Sequence, residues 1–424
     1  MAVGVGIIGV GTVGGGVIQL LQSNRESIAS RAQTAVELVH VAELEPKRLE
    51  GFDLAGTQVS ADAARLLADP SVDVVCELIG GLEPARRFIL EAVHAGKHVV
   101  TANKMLLAHH GPDLSQAAQA NGVELRYEAA VAGGIPLIKA LREGLAGNRI
   151  RSVCGILNGT CNYILTRMTY EGLEFDEALR QAIARGFAET PPDLDIEGHD
   201  TAHKCQIIAS LCFSTEVDLE NVYVEGVTKV THADVAYARE MGYLIKLLAI
   251  IHESDNEIDA RVHPTLVPED HLLASVRNEF NAVHVVSDAA DATLYYGRGA
   301  GRMPTASAVV ADIIDIARRG DAPPPPAFVY GPKRRVKSIG DVESRYYLRL
   351  TTLDKPGVLG RVCTILGNHR VSIASCIQKE EHEEKPVHVV LMTHATRESA
   401  LRAALEEIDA LEFIREATHL LRVL

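Results

Sequence analysis

Basic residues are in the minority in this chain. Lys and Arg number 42 against 56 Asp and Glu, a net charge of −14. Nucleic acid and anionic membrane both attract a basic face, so neither is expected as a partner. The seven cysteines (Cys76, Cys154, Cys161, Cys205, Cys212, Cys363 and Cys376) are odd in number, and none are spaced Cys-x-x-Cys. They read as reduced thiols of a cytoplasmic protein, neither a disulfide frame nor a zinc site. The longest apolar run, residues 243–251, contains Lys246 and falls far short of a membrane span. No charged stretch precedes the first apolar run, so no secretory leader is expected. Low-complexity sequence is limited to the four prolines 323–326.

What is present suits an ordinary globular protein: 47% apolar and 23% charged residues over 424 positions. That length asks for two or three domains. Up to residue 130, apolar runs (3–9, 36–43, 72–78, 98–101, 124–127) alternate with helical stretches (14–24, 61–68, 84–95, 113–121). Near-continuous apolar strands separated by helices predict a doubly wound α/β domain with a parallel sheet. A second domain with strands and longer amphipathic helices is expected over 131–302, followed by an apolar-faced helix over 305–319. Residues 321–344, with their proline run, read as a stiff linker. Residues 345–424 run strand, helix, strand, strand, helix, strand, the last expected over 413–423, which predicts a ferredoxin-like βαββαβ unit.

The first strand leads into Gly9-Val10-Gly11-Thr12-Val13-Gly14. Gly9 permits the tight turn, Gly11 lets backbone approach a pyrophosphate, and Gly14 lets the helix pack on the strand. Phosphates would sit on the helix N-terminus, where N–H groups and the dipole favour negative charge. A strand before and a helix after make this a dinucleotide fingerprint and not a bare glycine turn. Glu43 closes the second strand. An acid there accepts hydrogen bonds from ribose hydroxyls and leans toward NAD. Lys47 and Arg48 just beyond it suit NADP, and a solvated strand-end Glu is an equally good reading.

Three further segments carry chemistry. Lys104, ending Val100-Thr101-Ala102-Asn103-Lys104, stands at the ligand-binding edge of the parallel sheet; the plain alternative is a solvent-facing Lys at a helix start. The segment Leu157-Asn158-Gly159-Thr160-Cys161-Asn162-Tyr163 reads as a site wall or as a helix-capping turn. Residues 186–204 hold Glu189, Asp193, Asp195, Glu197, Asp200 and Lys204 around Pro191 and Pro192. Asp200 and Lys204 are four apart and share a helix face. They are either proton-transfer groups, since a partly desolvated Lys gives up its proton more readily, or a surface ion pair. His199 and His203 have metal-ligand spacing, but no His-Glu-x-x-His pattern and no third ligand accompany them.

Together these segments resemble the homoserine dehydrogenases. The resemblance rests on the 9–14 fingerprint, Val100 to Lys104, the Glu128-Ala129-Ala130-Val131-Ala132-Gly133-Gly134-Ile135-Pro136 run, 157–165, 186–204 and 297–312. It implies interconversion of L-homoserine and L-aspartate 4-semialdehyde with NAD or NADP, on the path to threonine, methionine and isoleucine. It implies a substrate-binding role for Glu189, Asp195 and Asp200, and places Lys104 and Lys204 around the reacting oxygen, with Lys204 the usual proton donor and Lys104 its rival. Cofactor contacts are implied for Gly9, Gly11, Thr12, Val13, Gly14, Glu43, Lys104, Gly186, Glu189 and Gly301. Glu128, Val131, Gly133 and Ile135 match a loop whose carbonyls bind a sodium ion in the family. Residues 303–320 are expected to pack back on the dinucleotide domain. Thr190-Pro191-Pro192 departs from the family, whose members often have an acid before this proline.

The C-terminal unit, with Asp354-Lys355-Pro356-Gly357-Val358-Leu359 after its first strand, resembles an ACT domain. That implies L-threonine as a feedback effector, or a pairing module without a ligand, and a homodimer or homotetramer. The expected form is the monofunctional enzyme. Two rivals belong to other classes. One is an aldehyde dehydrogenase with Cys161 as thiohemiacetal nucleophile. The other is a non-catalytic amino-acid sensor, which the presence of Lys104, Glu189, Asp200 and Lys204 disfavours.

Overall fold

The computed structural model describes residues 2–188, 190–254, 256–320, 322–379 and 386–424. It divides into two compact units, Met1–Val153 with His203–Leu219 and Phe280–Arg334, and Cys154–Ala202 with Glu220–Glu279 and Arg335–Leu424.

The first unit is built on a six-stranded parallel sheet. Its order is Gln58–Ser60, Val36–Ala42, Val3–Ile8, Val74–Glu77, His98–Thr101 and Leu125–Arg126. This is the 3-2-1-4-5-6 order of dinucleotide-binding sheets. The central strand Val3–Ile8 is buried almost throughout, so its apolar run needs no alternation. The order reverses between Val3–Ile8 and Val74–Glu77, and the glycine loop leaves the sheet at that point. Helix Arg302–Arg319 closes the same core: Ala306, Val309, Ile313 and Ile316 pack with Val5, Ile7, Val17 and Ile18.

Two expectations for this unit change. Helix Lys104–Ala120 starts nine residues before the expected position and carries Pro112 inside it. The start is set by Asn103, whose side chain accepts the Leu106 N–H and caps the helix. The segment expected as a linker is in part packed. Phe328 stacks between the rings of Tyr127 and Tyr330, and the Tyr127 hydroxyl donates to the Ala327 carbonyl at 2.8 Å.

In the second unit, strands Tyr243–Ser254 and Glu257–Pro268 pair antiparallel over their full length. The apolar run noted in the sequence is the first of these strands. The C-terminal segment is βαββαβ: Glu343–Leu353, Val358–Asn368, Ile373–Gln378, Pro386–Thr393, Glu398–Asp409 and His419–Val423. The last strand is shorter than expected, because residues 411–418 form a turn segment whose ladder pairing with the sheet is limited to the isolated Thr352–Ile414 bridge. The charged turn at 380–385 lies outside the described residues. Strand His419–Val423 pairs antiparallel with Glu343–Leu353 and parallel with Glu257–Pro268. The C-terminal sheet therefore continues the hairpin of its own unit.

Candidate active site

Strand Val3–Ile8 passes to helix Thr12–Ser23 through Gly9-Val10-Gly11. Gly9 has a φ of 93°, where a side chain is strained. A β-carbon on Gly14 would lie 2.1 Å from the Gly9 carbonyl oxygen, so the helix reaches the strand only because Gly14 is bare. A β-carbon on Gly11 would meet nothing within 4 Å. The helix has no side-chain cap, which leaves its first-turn N–H groups at Thr12 and Val13 to an outside acceptor. A cavity of about 460 Å³ opens here, with Gly11, Thr12, Gly15, Arg48, Phe52 and Arg302 in its wall. Bare glycines, uncapped amides and two guanidinium groups fit a phosphate-bearing dinucleotide.

Glu43 is not a solvated strand-end acid. It is buried, and its carboxylate accepts the Val10 N–H at 2.5 Å and the Glu45 N–H at 2.9 Å. It fixes the glycine loop from below. Arg48 and Arg302 are the charged side chains that flank the fingerprint in the cavity wall, beside Glu50.

Lys104 is the first residue of its helix and is half-buried. The turn before it is tied down by a short chain. Buried Glu77 accepts from the Thr101 hydroxyl at 2.7 Å, and the Thr101 hydroxyl accepts the Asn103 N–H at 3.0 Å. The Asn103 amide donates to the Gly81 carbonyl at 2.7 Å. Nothing in the sequence marks Glu77 for this role, because an acid ending a buried strand looks like any strand-end acid. Lys204 is buried on helix His199–Phe213. Its neighbour His203 meets His109 edge to face, with ring centroids 5.8 Å apart. His109 belongs to the Lys104 helix, so the structure brings the helices of both lysines into contact.

The carboxylates of the second unit gather around the turn at 157–163. The Asn158 amide donates to Asp195 at 2.7 Å and to Asp200 at 2.9 Å. Thr160 stands 3.3 Å from the other Asp195 oxygen and donates to the Phe187 carbonyl. The Cys161 thiol is fully buried and donates to the Asp195 carbonyl at 3.2 Å. A sulfur so enclosed is a poor nucleophile, which counts against the thiohemiacetal rival. Gly186 ends helix Phe175–Ala184 with a φ of 71°. Glu189 lies outside the described residues. His199 is exposed and His203 buried. Among the described residues no three His, Cys, Asp or Glu gather as a metal site.

The loop expected to hold sodium has an unusual backbone. Ala132 and Gly133 both have positive φ, 57° and 53°, which turns successive carbonyls. The buried Glu128 carboxylate accepts the Ile138 and Lys139 N–H groups at 2.9 and 2.8 Å, while its own N–H donates to Asp312 at 2.8 Å. Burial raises both the Glu128 and Asp312 carboxyls, and the Glu128 charge adds to the rise at Asp312. The Ile135 carbonyl accepts the Leu137 N–H at 2.7 Å and keeps one lone pair. Gly134 donates to the Arg298 carbonyl, and a β-carbon on Gly133 would strike the Gly299 oxygen at 2.3 Å. The 297–301 glycine loop is thus seated on this one, and Gly301 starts helix Arg302–Arg319.

A dinucleotide-binding sheet, two lysines on touching helices and a βαββαβ C-terminal unit define a nicotinamide-dependent dehydrogenase with a regulatory-type domain. Comparison with known proteins makes the class particular. Residues 9–128 match the model "Homoserine dehydrogenase, NAD binding domain", 136–314 match "Homoserine dehydrogenase", and 346–413 match "ACT domain". Homoserine dehydrogenase of Pseudomonas aeruginosa is 44% identical, covering 96% of this chain and 95% of its own. That of Neisseria gonorrhoeae is 42% identical, covering 99% and 98%. The crystal structure of a homoserine dehydrogenase from Thiobacillus denitrificans superposes with a TM-score of 0.94 at 43% identity, covering 100% of this chain and 98% of that one. The chain belongs to the homoserine dehydrogenase family, NAD(P)-dependent oxidoreductases acting on a CH–OH group.

Proposed function

We propose that Lys204 protonates the substrate oxygen, that Lys104 supports its charge, and that Glu189, Asp195 and Asp200 bind the amino-acid substrate. A bound nicotinamide supplies the hydride. As the aldehyde carbon of L-aspartate 4-semialdehyde is reduced, its oxygen gains negative charge. A protonated amine beside it stabilises that charge and delivers the proton, giving L-homoserine. The observation that carries the reading is the contact at His109 and His203 between the two lysine-bearing helices. Lys204→Met is expected to lower kcat for homoserine oxidation by about 10²–10⁴-fold, the range for general acid–base catalysis. Lys104→Met should lower kcat less. If Lys104→Met costs more, the donor is Lys104; if both retain kcat within a few-fold, the proton comes from elsewhere.

Three finer readings accompany it. Engagement of Glu43 by the glycine loop, with Arg48 and Arg302 in the cavity wall, favours a cofactor bearing a 2′-phosphate. Carbonyls of Glu128, Val131, Gly133 and Ile135 suit a hard monovalent cation such as sodium, and activity titrated against sodium and lithium tests this. The ACT domain suits an amino-acid effector, L-threonine first among them, and pairing of such domains between chains would give a homodimer or homotetramer. Threonine inhibition of turnover, and light scattering with and without threonine, test these two.

A further inference from the structure

We propose that Asn158 is a positioning residue for the reaction. Its carboxamide holds the side chains of Asp195 and Asp200 in the arrangement in which they receive substrate. The proposal rests on the reading of those two carboxylates as substrate ligands.

Asn158 is buried and caps helix Gly159–Glu171. Its Oδ1 accepts the Cys161 N–H at 2.8 Å, which decides the orientation of the amide. With Oδ1 facing the helix, the NH2 group must face away from it. There it donates to Asp195 Oδ1 at 2.7 Å and to Asp200 Oδ2 at 2.9 Å. An amide NH2 has two hydrogens, so each carboxylate takes one. The two acids come from different elements, Asp195 from the short helix Asp193–Ile196 and Asp200 from the start of helix His199–Phe213. Two carboxylates within reach of one nitrogen repel each other. The Asn158 NH2 places positive dipole between them.

Few side chains can do all of this. Asp caps a helix as well as Asn does, but adds a third negative charge. Ser also caps, yet offers one hydrogen in place of two. The same helix turn secures Asp195 by other atoms as well, through Cys161 on its carbonyl and Thr160 near its second oxygen. The turn acts as a template on which the two acids are registered.

The test is the pH profile of kcat/KM for L-homoserine in Asn158→Asp and Asn158→Ser, alongside melting temperature and dinucleotide affinity. Asn158→Asp retains the cap, so dinucleotide affinity should stay near wild type. The homoserine KM should rise about tenfold to a hundredfold, the effect of losing a hydrogen bond to a charged group. The acid limb of kcat/KM should move up by about one unit or more, because three carboxyls then compete for two charges' worth of space. Asn158→Ser should fall between wild type and Asn158→Asp in KM, with a smaller shift of the limb. A role confined to capping predicts an unmoved acid limb in both variants, and that result overturns the proposal. If Asn158→Asp does not fold, Asn158→Ser alone decides, since an unchanged KM and limb there is equally fatal. Asp195→Asn and Asp200→Asn separate the two layers. If they retain near-wild-type kcat/KM, the reading of the carboxylates has failed; if they are crippled while the Asn158 variants are not, only the positioning role has failed.

Discussion

Lys246 carries a clear pH signature at the scale of one residue. Its ammonium lies inside the second unit, donating to the Val276 carbonyl at 2.5 Å and to the Asn162 side-chain oxygen at 3.1 Å. Burial, helped by the nearby Arg277 charge, pushes its pKa down to about 7. The folded chain therefore binds fewer protons than the unfolded chain between pH 7 and the ordinary lysine value of about 10.4. Stability attributable to Lys246 is present above that upper value and is lost as pH falls through 7. The slope within the window is at most about 1.4 kcal/mol per pH unit. Urea unfolding from pH 7 to 9.5 should show this slope in wild type and a flatter one in Lys246→Met. Equal slopes would mean that Lys246 finds water or a counter-charge in the folded state. Cofactor choice is a second matter of single residues. Arg48→Ala and Arg302→Ala should each raise the KM for NADP by about tenfold or more, as loss of a charge-assisted phosphate contact implies, and leave that for NAD within a few-fold. Equal losses for both cofactors would place these arginines on the shared pyrophosphate. The glycine fingerprint was legible in sequence because its demands are local: one turn, one close approach. Glu43 and Asn158 were visible as residues but not as roles. Their partners, Val10 in one case and two acids 37 and 42 positions away in the other, are chosen by the fold.

At the scale of elements, the βαββαβ sheet is locked to its own unit by charge. Asp234 does double duty at the start of helix His232–Glu240. It forms a capping box with Thr231, and it accepts from Arg349 Nε at 2.6 Å and from the Tyr347 hydroxyl at 3.0 Å. Both partners belong to the first strand of the ACT domain. His419 Nδ1, on its last strand, stands 3.0 Å from the same carboxylate. Burial alone would raise the Asp234 carboxyl, but His419 and Arg349 outweigh it and hold it well below the usual carboxylate range. The stability this adds is complete above the unfolded value of about 3.9 and disappears as pH falls toward the folded value. Asp234→Ala is expected to cost about 3–5 kcal/mol near neutral pH, the penalty for stranding a buried Arg. Near pH 3 the difference from wild type should shrink. A loss under 1 kcal/mol at neutral pH, by chemical denaturation, would show that Arg349 is rescued by water. The order of these elements followed from periodicity, but their ends did not. The helix expected from 113 begins at Lys104 instead, because the Asn103 cap governs and Pro112 is accommodated inside it. Apolar Phe413 and Ile414 look like strand residues in sequence, yet they pack against the ACT core from a turn.

At the scale of the molecule, a linear reading divides the chain into successive blocks, while the fold gathers distant ones. Residues 203–219 and 280–334 join the first compact unit, and 335–424 join 220–279. Periodicity reports on neighbours in sequence, so it finds the blocks and misses the gathering. The C-terminal block illustrates the consequence. Arg422, fully buried on the last strand, holds Glu398 of its own domain through two hydrogen bonds of 2.7 and 2.6 Å. Its remaining nitrogen donates to Glu225 at 2.9 Å, outside the ACT domain. The adjoining Gly226-Val227 backbone continues to the acid-bearing segment: the Val227 N–H donates to the Ile196 carbonyl at 2.8 Å. A β-carbon on Gly226 would lie 2.3 Å from that same oxygen. Residue 196 directly follows Asp195, so the ACT domain's last strand and the proposed substrate ligand are separated by few contacts. A chain ending at residue 344 would lose Arg422, Arg349 and the strand that covers Thr265 and Leu266. It would leave an unpaired strand edge, which favours association between chains. The expected outcome is aggregation on size exclusion and a homoserine KM raised by about tenfold or more in any soluble fraction, since slack at Ile196 loosens Asp195. A monodisperse truncated chain with unchanged KM would show instead that Glu225 and Gly226 keep their places without Arg422, and that the ACT domain acts on turnover only when an effector is bound.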